Sequence, residues 1–174
     1  KIQNKSFQIE VLKRILVTCS GSIYSPRSRS IKFFLDKYFK LENFKFTIHS
    51  CIIKCSSDKI FIFREYVKTK NSNPQQLIVK KKASVIWDNR FLISSIFSDV
   101  KCSLFNDIIW LKLRNHYKLI KDSLNIPYDV LKTLPVLSYK NKMIIPFLTD
   151  KKKMAAYGIS VNFKPKIPLT KKNY

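Results

Sequence analysis

The sequence predicts an α+β fold, in which an N-terminal helical segment is followed by a mostly antiparallel β-sheet module with short helices. Apolar residues recur at every fourth position over residues 5–19, which is the pattern of an amphipathic helix. From Phe44 onward apolar and polar residues alternate, as they do in half-buried strands. With 174 residues, of which 45% are hydrophobic, the chain can form one ordinary domain or two small ones.

Two helices are predicted in the N-terminal part of the chain. The first is expected to end at Gly21, since glycine favours the left-handed conformation that closes a helix. The stretch "SPRSRSIKFFLDKYFK", residues 25–40, predicts a second helix with Ser25 as its cap and Pro26 in its first turn. We therefore assign residues 1–42 to a helical segment.

The following part, residues 43–150, is predicted to be mainly β-structure. Strand patterns separated by turn residues occur in "FKFTIHSCIIKC", "KIFIFRE", "QQLIVKKKASVIWDNRFLIS", "DIIWLKL" and "PVLSYKNKMIIPF". The last stretch is interpreted as a closing hairpin that turns at Lys140 and Asn141. Short helices are predicted for "RNHYKLIKDSL" and "YDVLKTL", and residues 151–174 are expected to form a mobile basic tail.

The charge of the chain is strongly positive. It has 34 Lys and Arg against 11 Asp and Glu, a formal net charge of +23. Such an excess predicts a polyanionic partner, either nucleic acid or an anionic membrane, although an AT-rich genome would account for part of it. No apolar run is long enough for a membrane span and no signal-peptide core is present, so we expect a soluble, cytoplasmic protein without a membrane partner.

One short stretch resembles a phosphate-binding loop. Residues 15–25, "ILVTCSGSIYS", can be aligned with the SGGxDS loop of ATP pyrophosphatases. Ser22 stands where that loop has its second glycine, and its Cβ crowds the close approach of a phosphate. Tyr24 stands at the acidic position. We therefore interpret the stretch as a helix end and not as a nucleotide site.

The four cysteines do not form a convincing metal site. Cys51 and Cys55 form one C-x3-C pair near His49, and the chain has no second pair at ligand spacing. Because both cysteines lie in a strand-like run, we interpret them as reduced thiols and predict no metal. No carboxylate pair and no nucleophile with a neighbouring base stands out, so we predict no catalytic residue.

The candidate RNA contacts are all basic: Arg27, Arg29, Lys32, Arg64, Lys81, Lys82, Arg90, Arg114 and Lys118. The first three cluster at the start of the second predicted helix, where free backbone amides would also favour an anion. A solvated helix face is the alternative interpretation of that cluster. The run of lysines at residues 80–82 suits contacts with the backbone of A-form RNA, or simply a surface loop.

The segment "WDNRF", residues 87–91, has two interpretations. In one, Arg90 binds a phosphate and Trp87 stacks on a base or ribose. In the other, the aromatic residues face the core of a strand while Asp88 and Arg90 form a charge pair on its opposite face.

Four local patterns carry a resemblance to a known family. They are "YSPRSRSIKFFL", "FTIHSCIIKCSSDKIFIFRE" with its strand pair closing on Arg-Glu, "VIWDNRFLI" with a W-D-x-R-F core, and the hairpin "LPVLSYKNKMIIPFL". In this order they resemble the C-terminal region of tRNA(Ile)-lysidine synthetase, particularly the alphaproteobacterial type. The likeness covers roughly residues 10–150. It departs from the family pattern at His49 and Ser50, where a glycine is commoner.

The resemblance implies a role in tRNA modification. In that family, a ligase, ATP activates the wobble cytidine of the isoleucine tRNA with anticodon CAU, and lysine then displaces AMP. Because no SGGxDS loop is found, we expect this chain to position tRNA and to lack catalysis of its own. ATP and lysine would be substrates of a full-length enzyme with an N-terminal ATP-pyrophosphatase-type domain, and this chain itself would bind no cofactor.

The alternative is a stand-alone, non-enzymatic RNA-binding or ribosome-associated protein. Residue 1 is Lys rather than Met, so we interpret the chain as a fragment of a longer protein or as the product of a decayed gene. Under the family interpretation, residues 1–42 would be the end of a helical tRNA-binding domain and residues 43–150 a mainly β C-terminal tRNA-binding domain.

Overall fold

The computed structural model describes residues 4–37, 41, 43–56, 59–73, 76–106, 108–112, 127–140 and 142–170. Its contacts group into two compact units. The first unit comprises Lys1–Glu65 with Lys164–Tyr174, and the second comprises Tyr66–Phe163. The predicted domain boundaries at residues 42 and 150 differ from the limits of these two units. They stay a prediction, since a grouping of contacts does not show which parts fold independently.

The first unit contains two helices and one antiparallel sheet. Its elements are α1 (Lys5–Ser20), α2 (Ser28–Lys37), β1 (Phe44–Ile48), β2 (Cys51–Ser56) and β3 (Lys59–Arg64), with strand order β1-β2-β3. The side chain of Asn4 caps α1 by accepting from the N–H groups of Ser6 and Phe7. Gly21 ends α1 in the left-handed conformation, with φ 67°, so the predicted helix end is confirmed.

Helix α2 begins later than predicted. Its first residue is Ser28, and the carbonyl of Arg27 accepts from the N–H groups of Ser30 and Ile31. Ser25 and Pro26 therefore precede the helix, and the prediction that Ser25 caps it is wrong. Buried Ile31, Phe34 and Leu35 form its inner face.

The stretch predicted as one strand-like run from Phe44 breaks at His49 and Ser50. These two residues have φ 49° and 59° and form a tight turn, so that Ile48 at the end of β1 pairs with Cys51 at the start of β2. Cys51 is fully buried, and its thiol donates to the carbonyl of Leu16 at 3.6 Å. The helices and the sheet share one core, which joins Leu16 and Phe34 to strand residues such as Ile53.

The second unit has two antiparallel sheets. Its elements are α3 (Tyr66–Ser72), β4 (Gln76–Val79), β5 (Ala83–Trp87), β6 (Phe91–Ser95), β7 (Val100–Leu104), α4 (Tyr128–Leu131), β8 (Pro135–Tyr139), β9 (Lys142–Ile144), α5 (Lys151–Ala156) and β10 (Ile159–Phe163). One sheet has the order β10-β6-β5 and the other β4-β7-β8-β9. The α+β class with mostly antiparallel sheets is confirmed, and the predicted helix at α4 and the closing hairpin β8-β9 are confirmed with it.

Part of the predicted basic tail is ordered structure. Residues 151–163 form α5 and β10, and β10 pairs with β6 along its whole length. Met154 and Ile159 lie in the core of the second unit. Burial of their apolar side chains stabilises this packed arrangement over a mobile tail. Gly158, with φ 66°, lies against the ring of Phe97, where an added Cβ would come within 2.6 Å.

The strand predicted for "DIIWLKL" is wrong, because residues 108–112 are helical. The side chain of Asn106 accepts from the N–H of Ile109, and its carbonyl accepts from the N–H of Trp110. This capping outweighs the short alternation of apolar residues. The neighbouring stretch "RNHYKLIKDSL" lies outside the described residues. None of the described helices has the length and apolar character that crossing a bilayer requires.

Candidate nucleic-acid interface

Three of the predicted RNA contacts lie together at the start of α2. Arg27, Arg29 and Lys32 are all exposed, and Arg29 and Lys32 are three residues apart, so they are neighbours on the helix surface. The predicted contribution of free backbone amides to anion binding is reduced, because the N–H groups of Ser30 and Ile31 already donate to the carbonyl of Arg27. Attraction of an anion to this surface depends mainly on the side-chain charges.

A cavity of about 460 Å³ lies beside this basic helix start. Residues from α2, β1 and the turn after β1 line it, among them Arg29, Ser30, Phe33, Phe46, Thr47 and His49. Helical periodicity places Arg29 and Phe33, four residues apart, on the same side of α2. The cavity therefore combines a guanidinium, hydroxyl groups, an imidazole and two aromatic rings.

The aromatic wall of the cavity is partly open to solvent. Phe33 is 47% exposed, and its ring centroid lies 6.3 Å from that of Phe46. Phe46 is held from the core side by Phe34, at 5.4 Å between centroids. The ammonium of Lys37 lies 5.3 Å from the centroid of Phe33. This wall thus presents an aromatic ring next to a positive charge.

His49 contributes the imidazole. Its Nε2 atom is buried and makes no hydrogen bond with the described residues. Burial lowers the pKa of His49 below 6.5, against a hydrogen bond with the backbone of Tyr24 that raises it, and the charge of Arg64 lowers it further. Since Nε2 has no partner among the described residues, the bond to Tyr24 belongs to Nδ1.

Acid is expected to destabilise the first unit through His49. The folded chain binds this proton less readily than the unfolded chain, so the stabilisation is present above pH 6.5 and is lost as the pH falls through the lowered pKa. We expect His49→Asn, which tolerates the positive φ, to lose less stability than the wild type between about pH 7.5 and pH 5. Urea denaturation at both pH values measures this difference, and an identical pH dependence of the two proteins would contradict it.

Two predicted contacts, Arg64 and Arg90, are buried, with 8% and 5% exposure. Arg64 ends β3 and lies opposite Cys51 in the sheet. Arg90 donates from Nε to Asp88 at 2.8 Å and from Nη2 to the carbonyl of Thr133 at 2.8 Å. The charge pair of the second interpretation of "WDNRF" is therefore present. The geometry of both arginines is that of structural residues, and their contact with RNA stays a prediction.

The same segment is not a continuous strand. Asp88 and Asn89 have φ 50° and 54°, and Arg90 N–H donates back to the carbonyl of Trp87, so residues 88–90 form the turn between β5 and β6. The predicted alternation of faces is therefore wrong for the turn residues.

Lys81 and Lys82 are exposed in the turn between β4 and β5. The N–H of Lys81 donates to Asp99 at 2.8 Å, and the ammonium of Lys80 binds the same carboxylate at 3.0 Å. The hydrogen bond from the backbone of Lys81 lowers the pKa of Asp99 most, and the hydrogen bond from Lys80 lowers it further. Asp99 thus fixes the turn that carries the exposed Lys81 and Lys82. Arg114 and Lys118 lie outside the described residues.

Sequence reasoning missed the cavity itself. The sequence patterns place Phe33 only in the predicted helix and His49 only in a strand-like run near the C-x3-C pair. The available signal was the spacing of Arg29 and Phe33 on one helix face. The other lining residues of the cavity lie on β1 and in the turn after it. Local sequence patterns do not define where this sheet lies relative to α2. Among the described residues, no group of three His, Cys, Asp or Glu side chains could hold a metal ion.

Comparison with curated proteins finds similarity to a class of synthases that are named for a transfer RNA. The chain is similar to the tRNA(Ile)-lysidine synthases of Rickettsia akari (29% identical over 153 residues), Rickettsia conorii (31% over 153 residues) and Rickettsia prowazekii (32% over 151 residues). These matches cover 82%, 82% and 80% of the chain but only 34%, 30% and 33% of the relatives. The resemblance to the C-terminal region of this family, which the motifs indicated, is confirmed.

The chain thus spans about a third of the length of the curated relatives it matches. No family profile matches it, and no solved structure is significantly similar to it.

Proposed function

We propose that this chain is the tRNA-binding part of a tRNA(Ile)-lysidine synthase and positions isoleucine tRNA for a catalytic domain elsewhere in the protein. The observation that carries the proposal is its similarity, over 82% of its length, to proteins of that name. The net charge of +23 supports it, because neutralised phosphates supply much of the affinity for RNA.

The chemistry would lie outside this chain. Ligation of lysine to the wobble cytidine would use ATP and lysine in an ATP-pyrophosphatase-type domain, while this chain binds the tRNA. Binding energy from a part of the substrate remote from the reaction orients the reacting groups. Loss of this part should therefore reduce activity on whole tRNA much more than it affects the use of ATP or lysine. Such an enzyme would act in the cytoplasm.

The exposed cluster at the start of α2 is the contact surface we propose first, and Lys81 and Lys82 the second. Arg27, Arg29 and Lys32 carry three charges within six residues, and each is exposed. Arg64 and Arg90 would act indirectly, by holding the sheets that carry these surfaces.

The test is binding of the chain to an isoleucine tRNA transcript with anticodon CAU, an unrelated tRNA and an RNA duplex across a salt series. We expect preference for the isoleucine tRNA and a steep salt dependence. The triple variant Arg27→Ala, Arg29→Ala and Lys32→Ala should lower the slope of log K against log salt by about 1 for each charge that contacts a phosphate.

A matched control removes three exposed charges from α5, as Lys151→Ala, Lys152→Ala and Lys153→Ala. We expect this control to bind tRNA nearly as well as the wild type. Equal binding to all three RNAs, with equal losses in both triple variants, would contradict the proposal. That result would instead support a stand-alone RNA-binding protein.

A further inference from the structure

The cavity beside α2 offers chemistry that a flat basic surface does not. Arg29 and the half-exposed Phe33 line it from α2, and Phe46 and Thr47 line it from β1. A guanidinium binds phosphate, and an aromatic ring stacks on a base. These two groups match the phosphate and the base of a nucleotide.

We propose that this cavity holds one unpaired nucleotide of the bound RNA, with Arg29 on its phosphate and Phe33 against its base. This proposal rests on the proposed function, because it names the part of the RNA that the α2 surface takes. The volume of about 460 Å³ lies within the range of about 300 to 1,000 Å³ that is usual for small-ligand sites.

The nucleotide must be unpaired. In a duplex both faces of each base are covered by its neighbours, so only an extruded or single-stranded base can place a face on an aromatic side chain. The ring of Phe33 is nearly half exposed, and Phe46, itself held against Phe34, backs it within the same wall. The ammonium of Lys37 lies over this ring, 5.3 Å from its centroid, so a base that stacks on that face displaces it.

Simpler ligands satisfy only part of the cavity. An inorganic anion would use Arg29 but leave the aromatic wall in water, and an apolar ligand would bury the guanidinium without a partner. A nucleotide satisfies the cation and the ring together.

The experiment compares two pentamers that carry the same phosphates: pentauridylate and a fully abasic pentaribose chain. We expect the wild-type chain to bind pentauridylate at least about fivefold more tightly than the abasic chain, as base stacking on an aromatic residue implies. Phe33→Leu, which keeps apolar volume without the ring face, should abolish this preference and leave the salt dependence unchanged.

Phe7→Leu is the matched control, since Phe7 is a 54% exposed aromatic residue on α1 of the same unit. It should keep the preference for pentauridylate over the abasic chain, and thermal denaturation should show that all variants fold. The proposal is overturned if the wild type binds pentauridylate and the abasic chain equally, or if Phe33→Leu behaves like Phe7→Leu. The tRNA salt series is a separate measurement, so preference for the isoleucine tRNA can survive the loss of this proposal, and base-dependent binding of pentamers can survive the loss of the proposed function.

Discussion

Arg90→Ala is expected to destabilise the second unit by about 3 to 5 kcal/mol, the cost of leaving a buried charge without its partner. Asp88 is 3% exposed and Arg90 5% exposed, and their charged groups lie 2.6 Å apart. The same carboxylate accepts from the hydroxyl of Thr69 on α3 at 3.4 Å, and the N–H of Asp88 donates to the side chain of Asn73 at 2.8 Å. Removing Arg90 therefore weakens a network that joins α3 to the β5-β6 turn.

Urea denaturation followed by tryptophan fluorescence measures this loss. The control is Lys80→Ala, which removes an exposed ion pair with Asp99, and it should change stability far less than Arg90→Ala does. An Arg90→Ala protein as stable as the Lys80→Ala protein would show that the network contributes little. If that stable protein bound RNA weakly, the predicted RNA contact of Arg90 would gain support.

Trp87→Ala is expected to lower the free energy of unfolding by about 3 to 5 kcal/mol, because it leaves a cavity in the core. Trp87 is 1% exposed and pairs with Phe91 across the β5-β6 hairpin, with 5.9 Å between ring centroids. Phe163 on β10 pairs with Phe91 from the other side at 5.5 Å, so three aromatic residues form a row across the sheet. The row is buried at Trp87 and open at Phe163, which is 48% exposed.

Trp87→Phe should retain much of the stability, because it keeps an aromatic ring in the row. Phe163→Ala, at the open end, should cost clearly less than Trp87→Ala, since its ring already meets solvent. Denaturation of the three variants, together with tRNA binding, separates the two interpretations of the "WDNRF" segment. A Trp87→Ala protein with wild-type stability and weakened tRNA binding would favour a recognition patch over a core residue.

Local interactions explain what could be predicted from the sequence. Gly21 ends α1 because only glycine adopts its left-handed conformation without a steric cost, and that requirement involves no distant residue. The alternation in "KIFIFRE" and "PVLSYKNKMIIPF" predicts strands because neighbouring side chains point to opposite faces. The order of four short motifs also indicated the family to whose members the comparisons find similarity.

The sequence by itself thus determined the α+β class, the end of α1, most strands and the basic character of the chain. The tertiary structure alone decided which strands share a sheet, that β10 completes the sheet of β5 and β6, and that Arg90 turns inward to Asp88. It also decided that Phe33 and His49 enclose one cavity with Arg29. The physical reason is that strand pairing, burial of an ion pair and the walls of a cavity join residues far apart in the chain, whereas periodicity and capping report only on near neighbours.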